Sequence, residues 1–263
     1  MVQLKTTGKD AGIGYSFHEK SFTWFLSPTD ALSPVTISVP HDGIRKSDLK
    51  GLFPTRKEGW TGTDGYVWPL VKGIAWNHPI NTIRGLLPRF MLDYNRYASK
   101  KSFLSYAGIL FEDTEEACED KQLNKYHRVY HQKLVSTVIE TKKLYGPKAL
   151  FFDFHGFSKQ PTYGNFDLIL GTANTHTLTA DKDKQFADFF EGKGYKVFLP
   201  SFRKIPIDPT TADWYDAGFT TRNVFLKTGV DSIQIEVSSE IRRNNELAKK
   251  FSSVMGEFLR TVI

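Results

Sequence analysis

"ALFFDFHGF", residues 149–157, is an apolar run that carries one aspartate and one histidine. Its phenylalanines favour a buried β-strand, and the period of two in a strand places Asp153 and His155 on the same face. His155 lies at the end of the strand, where Gly156 begins a turn. Burying two ionisable side chains costs free energy unless each finds a partner. We interpret the stretch as one wall of a site that holds a metal ion.

Strand-like and helical patterns alternate outward from this stretch. Strands are predicted at 34–41, 87–95, 149–155, 167–172, 196–201 and 232–238. Helices are predicted at 125–144 and 181–190, and in an amphipathic C-terminal segment that starts at Ser238-Ser239. This alternation predicts an α/β fold with a mostly parallel or mixed central sheet and helices on both faces. Because no repeat or long linker divides the chain, residues 1–263 are predicted to form a single domain.

Composition and charge narrow the classes of function. The net charge is +6, but the basic residues are dispersed among 29 acidic ones, which disfavours a nucleic-acid partner. The chain has no apolar stretch of about 18 residues and no apolar core typical of a signal peptide, so we expect no membrane partner and a cytoplasmic location. A single cysteine, Cys118, excludes an internal disulfide. The sequence also lacks P-loop, G-x-G-x-x-G and G-x-S-x-G motifs, which disfavours nucleotide and serine-hydrolase chemistry.

Four predicted strands carry polar side chains at or near their carboxyl ends. His41 ends the first strand, Asn95 ends the second and His155 ends the third. Glu236 lies on the last strand and alternates with the apolar residue Ile235. Because functional groups collect past the carboxyl ends of strands in such sheets, we expect these side chains to converge.

Two imidazoles, one carboxylate and an open position make a hydrolytic zinc site. His41 and His155 are the candidate imidazoles. Asp64 is the candidate carboxylate, because the loop glycines on either side of it allow a close approach. One Zn²⁺ per chain is therefore predicted, with Asp153 orienting neighbouring groups.

The remaining polar residues suit the hydrolysis of an amide. Glu236 has the chemistry of a general base that takes a proton from water and delivers it to the leaving nitrogen. Asn95 and Arg96 would bind a substrate carboxylate, a task that suits the planar guanidinium group. Arg89 would stabilise the oxyanion.

Six motifs resemble, in the same order, those of the N-formylglutamate amidohydrolase family. They are ISVPHDG, GTDGYV, RFMLDYNR, YHQKL, FFDFHGF with DLILGT, and GFTTRN with VDSIQIEVS, and they extend from about Val35 to Arg242. The family resembles zinc carboxypeptidases and aspartoacylase. The resemblance thus implies a phosphorylase/hydrolase-like, zinc carboxypeptidase-like fold, and zinc-dependent hydrolysis of an amide bond next to a free carboxylate, as in N-formylglutamate.

The resemblance also implies roles for individual residues. Its motifs give metal ligation to His41, Asp64 and His155, and the general base to Glu236. They give carboxylate binding to Asn95 and Arg96, and substrate contact to Arg222. The substrate implied is a small-molecule N-acyl amino acid or a peptide.

Several alternatives stay open on the sequence alone. A carboxypeptidase-like enzyme, or a hydrolase of polyglutamate or cell-wall peptides, could use the same site, with the aromatic-rich 53–78 loop accommodating a longer substrate. A non-catalytic binding protein could retain the fold, although each expected role has a suitable residue. His127 and His131, four residues apart on a helix, could also bind a metal, but His127 is not followed by the glutamate of metalloproteases, and His131 is better interpreted as facing the cleft or as a structural hydrogen-bond donor. The oligomeric state is not indicated.

Overall fold

A mixed β-sheet of eight strands organises the structure, a computed structural model. It describes residues 15–18, 22–25, 31–43, 62–98, 103–106, 109–112, 116–119, 123–158, 164–173, 175–179, 181–200 and 216–263. The strands are β1 Tyr15–His18, β2 Phe22–Phe25, β3 Val35–Val39, β4 Asn81–Gly85, β5 Phe103–Tyr106, β6 Ile109–Glu112, β7 Leu150–Phe157, β8 Leu168–Gly171, β9 Val197–Phe198 and β10 Asp231–Ser238. The helices are α1 Val67–Asn77, α2 Asn124–Tyr145, α3 Lys182–Gly192, α4 Phe219–Thr228, α5 Ser239–Arg243 and α6 Asn245–Val262.

The strand order is β1-β2-β4-β3-β7-β10-β8-β9. The four central strands β4, β3, β7 and β10 are parallel to one another, whereas β2 and β8 pair antiparallel to them from either side. Strands β5 and β6 form a separate antiparallel pair. This mixed sheet confirms the predicted fold class. The division of the chain into domains stays a prediction.

Apolar layers cover both faces of the sheet. On one face, Phe152 and Phe154 of β7 pack in a cluster with residues of α1, α3 and α6. On the other face, Phe151 packs with residues of α2 and α4. Because side chains alternate along a strand, Asp153 and His155 lie on the same face as Phe151. The polar residues of β7 are therefore buried beneath α2 and α4, towards the carboxyl end of the strand.

The predicted strand at 87–95 is wrong. This segment is a loop after β4, in which the main-chain nitrogens of Met91 and Leu92 donate to the Pro88 carbonyl at 2.9 and 3.1 Å. Its apolar residues are buried because they pack against α2 and not because they pair in the sheet. Consequently Arg89 and Asn95 are held by a loop and not by a strand of the sheet.

Three further boundaries differ from the predictions. The strand predicted at 196–201 is limited to the two residues of β9. Residues 67–77 of the predicted 53–78 loop form helix α1, and residues 53–61 lie outside the described part of the chain, so accommodation of longer substrates by this segment stays a prediction. The C-terminal helical segment is interrupted at Asn244, because Ser238 caps α5 whereas the Asn244 side chain accepts from Glu246 N and Leu247 N and caps α6.

Candidate metal centre

Three predicted ligands meet beyond the carboxyl ends of the parallel strands. His41 follows β3, His155 lies near the end of β7, and Asp64 lies in the loop before α1. The main-chain nitrogen of Asp64 donates to the His41 carbonyl at 3.0 Å, which fixes the loop against the end of β3. The three side chains are buried, with exposed fractions of 1, 6 and 2% for His41, Asp64 and His155. Within the described part of the chain, they are the one group of His, Cys, Asp and Glu residues whose ligand atoms lie close enough to share a metal ion.

The distances among these ligand atoms fit a tetrahedral metal ion. The Nδ1 atoms of His41 and His155 are 3.1 Å apart, and each lies 3.2 Å from Oδ2 of Asp64. Ligand bonds of 2.0–2.1 Å to tetrahedral zinc separate neighbouring ligand atoms by about 3.3 Å. The three atoms thus form one face of a tetrahedron of the right size. Three protein ligands are also the number found in catalytic zinc sites, where the fourth position takes water or substrate.

The other nitrogen of each imidazole is held by a carboxylate. Nε2 of His41 lies 2.6 Å from Oδ1 of Asp93, and Nε2 of His155 lies 3.0 Å from Oδ2 of Asp153. A carboxylate accepts the proton of Nε2, so each Nδ1 presents a lone pair to the centre of the cluster. Three electron-rich atoms at this spacing repel one another unless a cation or a proton lies between them. The donor set therefore fits a metal ion, and Asp153 has the orienting position that the sequence predicted.

Further hydrogen bonds fix the two orienting carboxylates. Asp93 accepts from Nε of Arg89 at 2.8 Å and from the main-chain nitrogen of Asn95 at 2.9 Å. Asp153 accepts from the Ser38 hydroxyl and from Thr221 Oγ1. Burial alone would raise the pKa of Asp93, but the charges of Arg89, His41 and Arg96 hold it well below its usual value. Asp93 is therefore an anion and an effective acceptor for the His41 ring.

Two of the predicted ligands, Asp64 and His155, have shifted pKa values. Burial would raise the pKa of Asp64, but His41 and His155 lower it below its ordinary value. Burial would lower the pKa of His155, but the neighbouring carboxylates, Asp153 foremost, raise it well above its ordinary value. The carboxylates around His155 thus create a negative potential at this ring, which favours a proton or a bound cation there.

Glu236 lies beside His155 on the neighbouring strand. The two residues are register partners in the parallel pair of β10 and β7, so their side chains project from the same face of the sheet. Gln234 donates from Nε2 to Oε1 of Glu236 at 3.0 Å. Burial raises the pKa of Glu236 to about 7, opposed by His155 and reinforced by Asp64. A carboxyl group with this pKa can accept and release a proton at neutral pH.

Arg89 links two carboxylates of the centre. Its Nε donates to Asp93, and its Nη1 lies 3.9 Å from Oδ1 of Asp64, the oxygen that does not face the imidazoles. The side chain is buried, which strengthens these interactions. The structure thus places Arg89 at the centre as a brace of Asp64 and Asp93, and its predicted role at the oxyanion stays a prediction.

The three residues predicted to bind substrate lie at different distances from the ligands. Asn95 is buried at the centre, with Nδ2 at 3.4 Å from Nε2 of His155 and Oδ1 accepting from Thr220 N at 2.8 Å. The guanidinium groups of Arg96 and Arg222 donate to the main-chain carbonyls of Asn95 and Asp216, at 3.0 and 3.1 Å. Asn95 therefore joins the centre to the start of α4, and carboxylate binding by these three residues stays a prediction.

His127 and His131 hold the loop that carries Asp93 and Asn95. Both histidines are buried on one face of α2, and their Nε2 atoms contact the carbonyls of Arg96 and Tyr94, each at 2.8 Å. Burial lowers the pKa of His127 to about 4, and it lowers that of His131 well below its ordinary value. Both rings are therefore neutral donors at pH 7, and of the two roles predicted for His131 the structure shows that of a structural hydrogen-bond donor.

Sequence reasoning missed two features of the centre. The contact of Asp93 with the His41 ring was not foreseen. Arg242, buried in α5, was not considered at all, yet it donates to main-chain carbonyls of three separate segments. No local pattern could have indicated Arg242, because its partners come from distant parts of the chain.

Comparison with known proteins identifies the family. The model of the N-formylglutamate amidohydrolase family matches residues 33–241. The chain belongs to this family. This membership confirms the resemblance of the motifs, and it supports the interpretation of the protein as an enzyme that hydrolyses amides. Among curated proteins, no sequence matches this member of the family.

Solved structures share the fold of this family member at low sequence identity. N-formylglutamate amidohydrolase from Ralstonia eutropha JMP134 has a TM-score of 0.65 at 16% identity, over 92% of this chain and 98% of that chain. The gene product Atu2144 from Agrobacterium tumefaciens has a TM-score of 0.59 at 12% identity, over 92% and 94%. These two likenesses show the fold alone. A metallo-carboxypeptidase from Burkholderia cenocepacia has a TM-score of only 0.47 at 12% identity, over 97% of this chain and 65% of that chain. We draw no conclusion from this weaker likeness.

Among the helices in the described ranges, none combines the length and the apolar composition needed to cross a bilayer.

Proposed function

We propose that the protein is a zinc-dependent amidohydrolase that cleaves an amide bond next to a free carboxylate, as in an N-acyl amino acid such as N-formylglutamate. One observation carries the proposal: three lone-pair atoms, from His41, Asp64 and His155, lie 3.1–3.2 Å apart beside Glu236 on the neighbouring strand. Membership of an amidohydrolase family supports the class of bond.

The chain's own residues would hold the metal ion. Nδ1 of His41, Nδ1 of His155 and Oδ2 of Asp64 are its three ligands in this proposal. When bound, zinc lowers the pKa of water to about 7 and polarises a carbonyl group. Asp93 and Asp153 keep both imidazoles in the tautomer that turns Nδ1 to the centre.

Glu236 would move the proton. With its pKa raised to about 7, its carboxylate takes a proton from the attacking water and later passes it to the leaving nitrogen. The hydrogen bond from Gln234 to Oε1 fixes the orientation of the carboxyl group. Burial excludes bulk water from this transfer, because the side chain of Glu236 is only 7% exposed.

Positive and amide groups beside the ligands would bind the substrate. Arg89, next to Asp64, would stabilise the negative charge that develops on the carbonyl oxygen. Asn95, next to His155, and the adjacent Arg96 would bind the free carboxylate, with Arg222 of α4 as a further contact. A substrate whose carboxylate is blocked as an amide should therefore be cleaved slowly.

The test combines metal analysis with one substitution. Wild type and Glu236→Gln should each carry one zinc per chain, because Glu236 is not a ligand, whereas kcat should fall by about 10²- to 10⁴-fold in the variant. Glu240→Gln, the same change at an exposed position of α5, is the matched control and should keep wild-type activity. The assay compares N-formylglutamate, other N-acyl amino acids and their amidated forms. A wild type without zinc, or zinc loss in Glu236→Gln but not in His155→Ala, would contradict the proposal.

A further inference from the structure

Arg242 is a buried arginine whose guanidinium group joins three segments of the chain. Its Nε donates to the carbonyl of Val237 at 2.9 Å and its Nη2 to that of Phe157 at 3.1 Å. Its Nη1 donates to the carbonyl of Gly65. Only 6% of the residue is exposed, so these hydrogen bonds are largely shielded from water.

Each of these carbonyls lies next to a residue of the candidate metal centre. The first comes one residue after Glu236, the second comes two residues after His155, and the third comes one residue after Asp64. The loop of Asp64 is thereby tied to the ends of the two strands that carry His155 and Glu236. A single side chain thus connects the three segments that supply two of the ligands and the proton carrier.

Two local features of the structure allow Arg242 to occupy this position. Ser238 caps α5 directly at the end of β10, so the fourth residue of the helix lies over the end of the sheet. Gly156 of β7 leaves the necessary space, because a Cβ atom there would lie 2.3 Å from the guanidinium carbon of Arg242. Any larger residue at position 156 would displace the guanidinium group.

We propose that Arg242 is a positioning residue: it fixes the Asp64 loop against the ends of β7 and β10 and so sets the affinity of the centre for metal. This inference rests on the proposed function, because it assumes that the centre binds zinc. The planar guanidinium group presents several donors in fixed directions, which suits three carbonyls on different segments. A lysine ammonium group keeps the charge but cannot reproduce this arrangement.

The first experiment compares Arg242→Ala with Arg243→Ala. Arg243 is the adjacent, exposed arginine of α5, so its substitution removes the same charge without the three hydrogen bonds. Zinc affinity is measured on folded protein by competition with a chelator. It should weaken by about 10- to 100-fold in Arg242→Ala, the range for residues that orient metal ligands, and stay at the wild-type value in Arg243→Ala.

The spectrum of bound Co²⁺ gives a second readout. A substitution that only lowers stability leaves the visible bands of the folded protein unchanged, whereas displaced ligands alter their positions and intensities. Altered bands in Arg242→Ala, together with weaker zinc binding, support the inference. Wild-type zinc affinity in folded Arg242→Ala overturns it.

A third variant covers the case in which Arg242→Ala does not fold. Arg242→Lys should fold and bind zinc more weakly than wild type, and wild-type affinity in this variant would overturn the inference. Failure of the proposed function is seen separately, because a wild type that binds no zinc overturns that function and this inference together. A loss confined to the Arg242 variants leaves the proposed function standing.

Discussion

Acid should destabilise this protein through a buried histidine that holds the loop of the metal centre. His127 is 4% exposed, and its Nε2 donates to the Arg96 carbonyl at 2.8 Å. Burial lowers its pKa from 6.5 to about 4, and the nearby charge of Asp93 offsets only part of that effect. The folded state therefore binds a proton at His127 less readily than the unfolded state does.

The sign and size of the effect follow from this difference in pKa. At pH 7 the ring is neutral in both states, and its contribution to stability is fully present. As the pH falls below 6.5, the unfolded state takes up a proton first, so stability is lost until the pH reaches about 4. Between pH 7 and pH 5 the loss is about 2 kcal/mol for this one histidine.

His127→Gln isolates the contribution of this ring. The glutamine amide can donate to the Arg96 carbonyl but does not titrate. Urea unfolding curves of metal-free protein at pH 7, 6 and 5 give the free energy of unfolding of both proteins. His131 and the carboxylates titrate in both proteins, so their contributions cancel in the comparison. The free energy of unfolding should therefore fall by about 2 kcal/mol more in the wild type than in the variant by pH 5. Equal losses in the two proteins would refute the reasoning, because His127 would then titrate alike in both states.

Two further substitutions separate the metal centre from the core. Asp93→Asn should weaken zinc binding by about 10- to 100-fold, measured by chelator competition, because the His41 ring loses its anionic acceptor. Asp188→Asn, at an exposed position of α3, is the control and should keep the wild-type zinc affinity. Equal zinc affinities in the two variants would contradict the role of Asp93. Phe190→Ala removes a fully buried ring and should lower the free energy of unfolding by about 3–5 kcal/mol without changing the zinc affinity of the folded protein. A parallel fall in zinc affinity would show that core and centre are coupled.

Local sequence patterns predicted the strands that carry or precede the two proposed histidine ligands. The apolar run with Asp153 and His155 is strand β7, and the segment that ends near His41 contains β3. The helix predicted at 125–144 is α2 within one residue at each end. These predictions succeeded because period-two and period-3.6 patterns reflect which face of an element is buried, and that information is local.

Sequence patterns gave wrong predictions where a segment is buried without forming a helix or a strand. The segment 87–95 alternates like a strand, yet it is a loop that packs against α2. Strand β4 and helices α1 and α4 were not predicted: β4 and α4 are short and largely polar, and α1 contains Pro69 and Gly73, which are unfavourable within a helix. Tertiary contacts determined these segments, and a local window does not contain them.

The sequence by itself indicated the chemical types of the proposed centre: two histidines at strand ends, a carboxylate in a loop between glycines, and a glutamate on a strand. Only the tertiary structure decided which nitrogen of each ring faces the centre, because Asp93 and Asp153 make that choice from other parts of the chain. It alone also revealed Arg242, whose three acceptors lie on segments that are distant in sequence. The physical reason is that hydrogen bonds depend on distance and direction in space, whereas a sequence pattern records only separation along the chain.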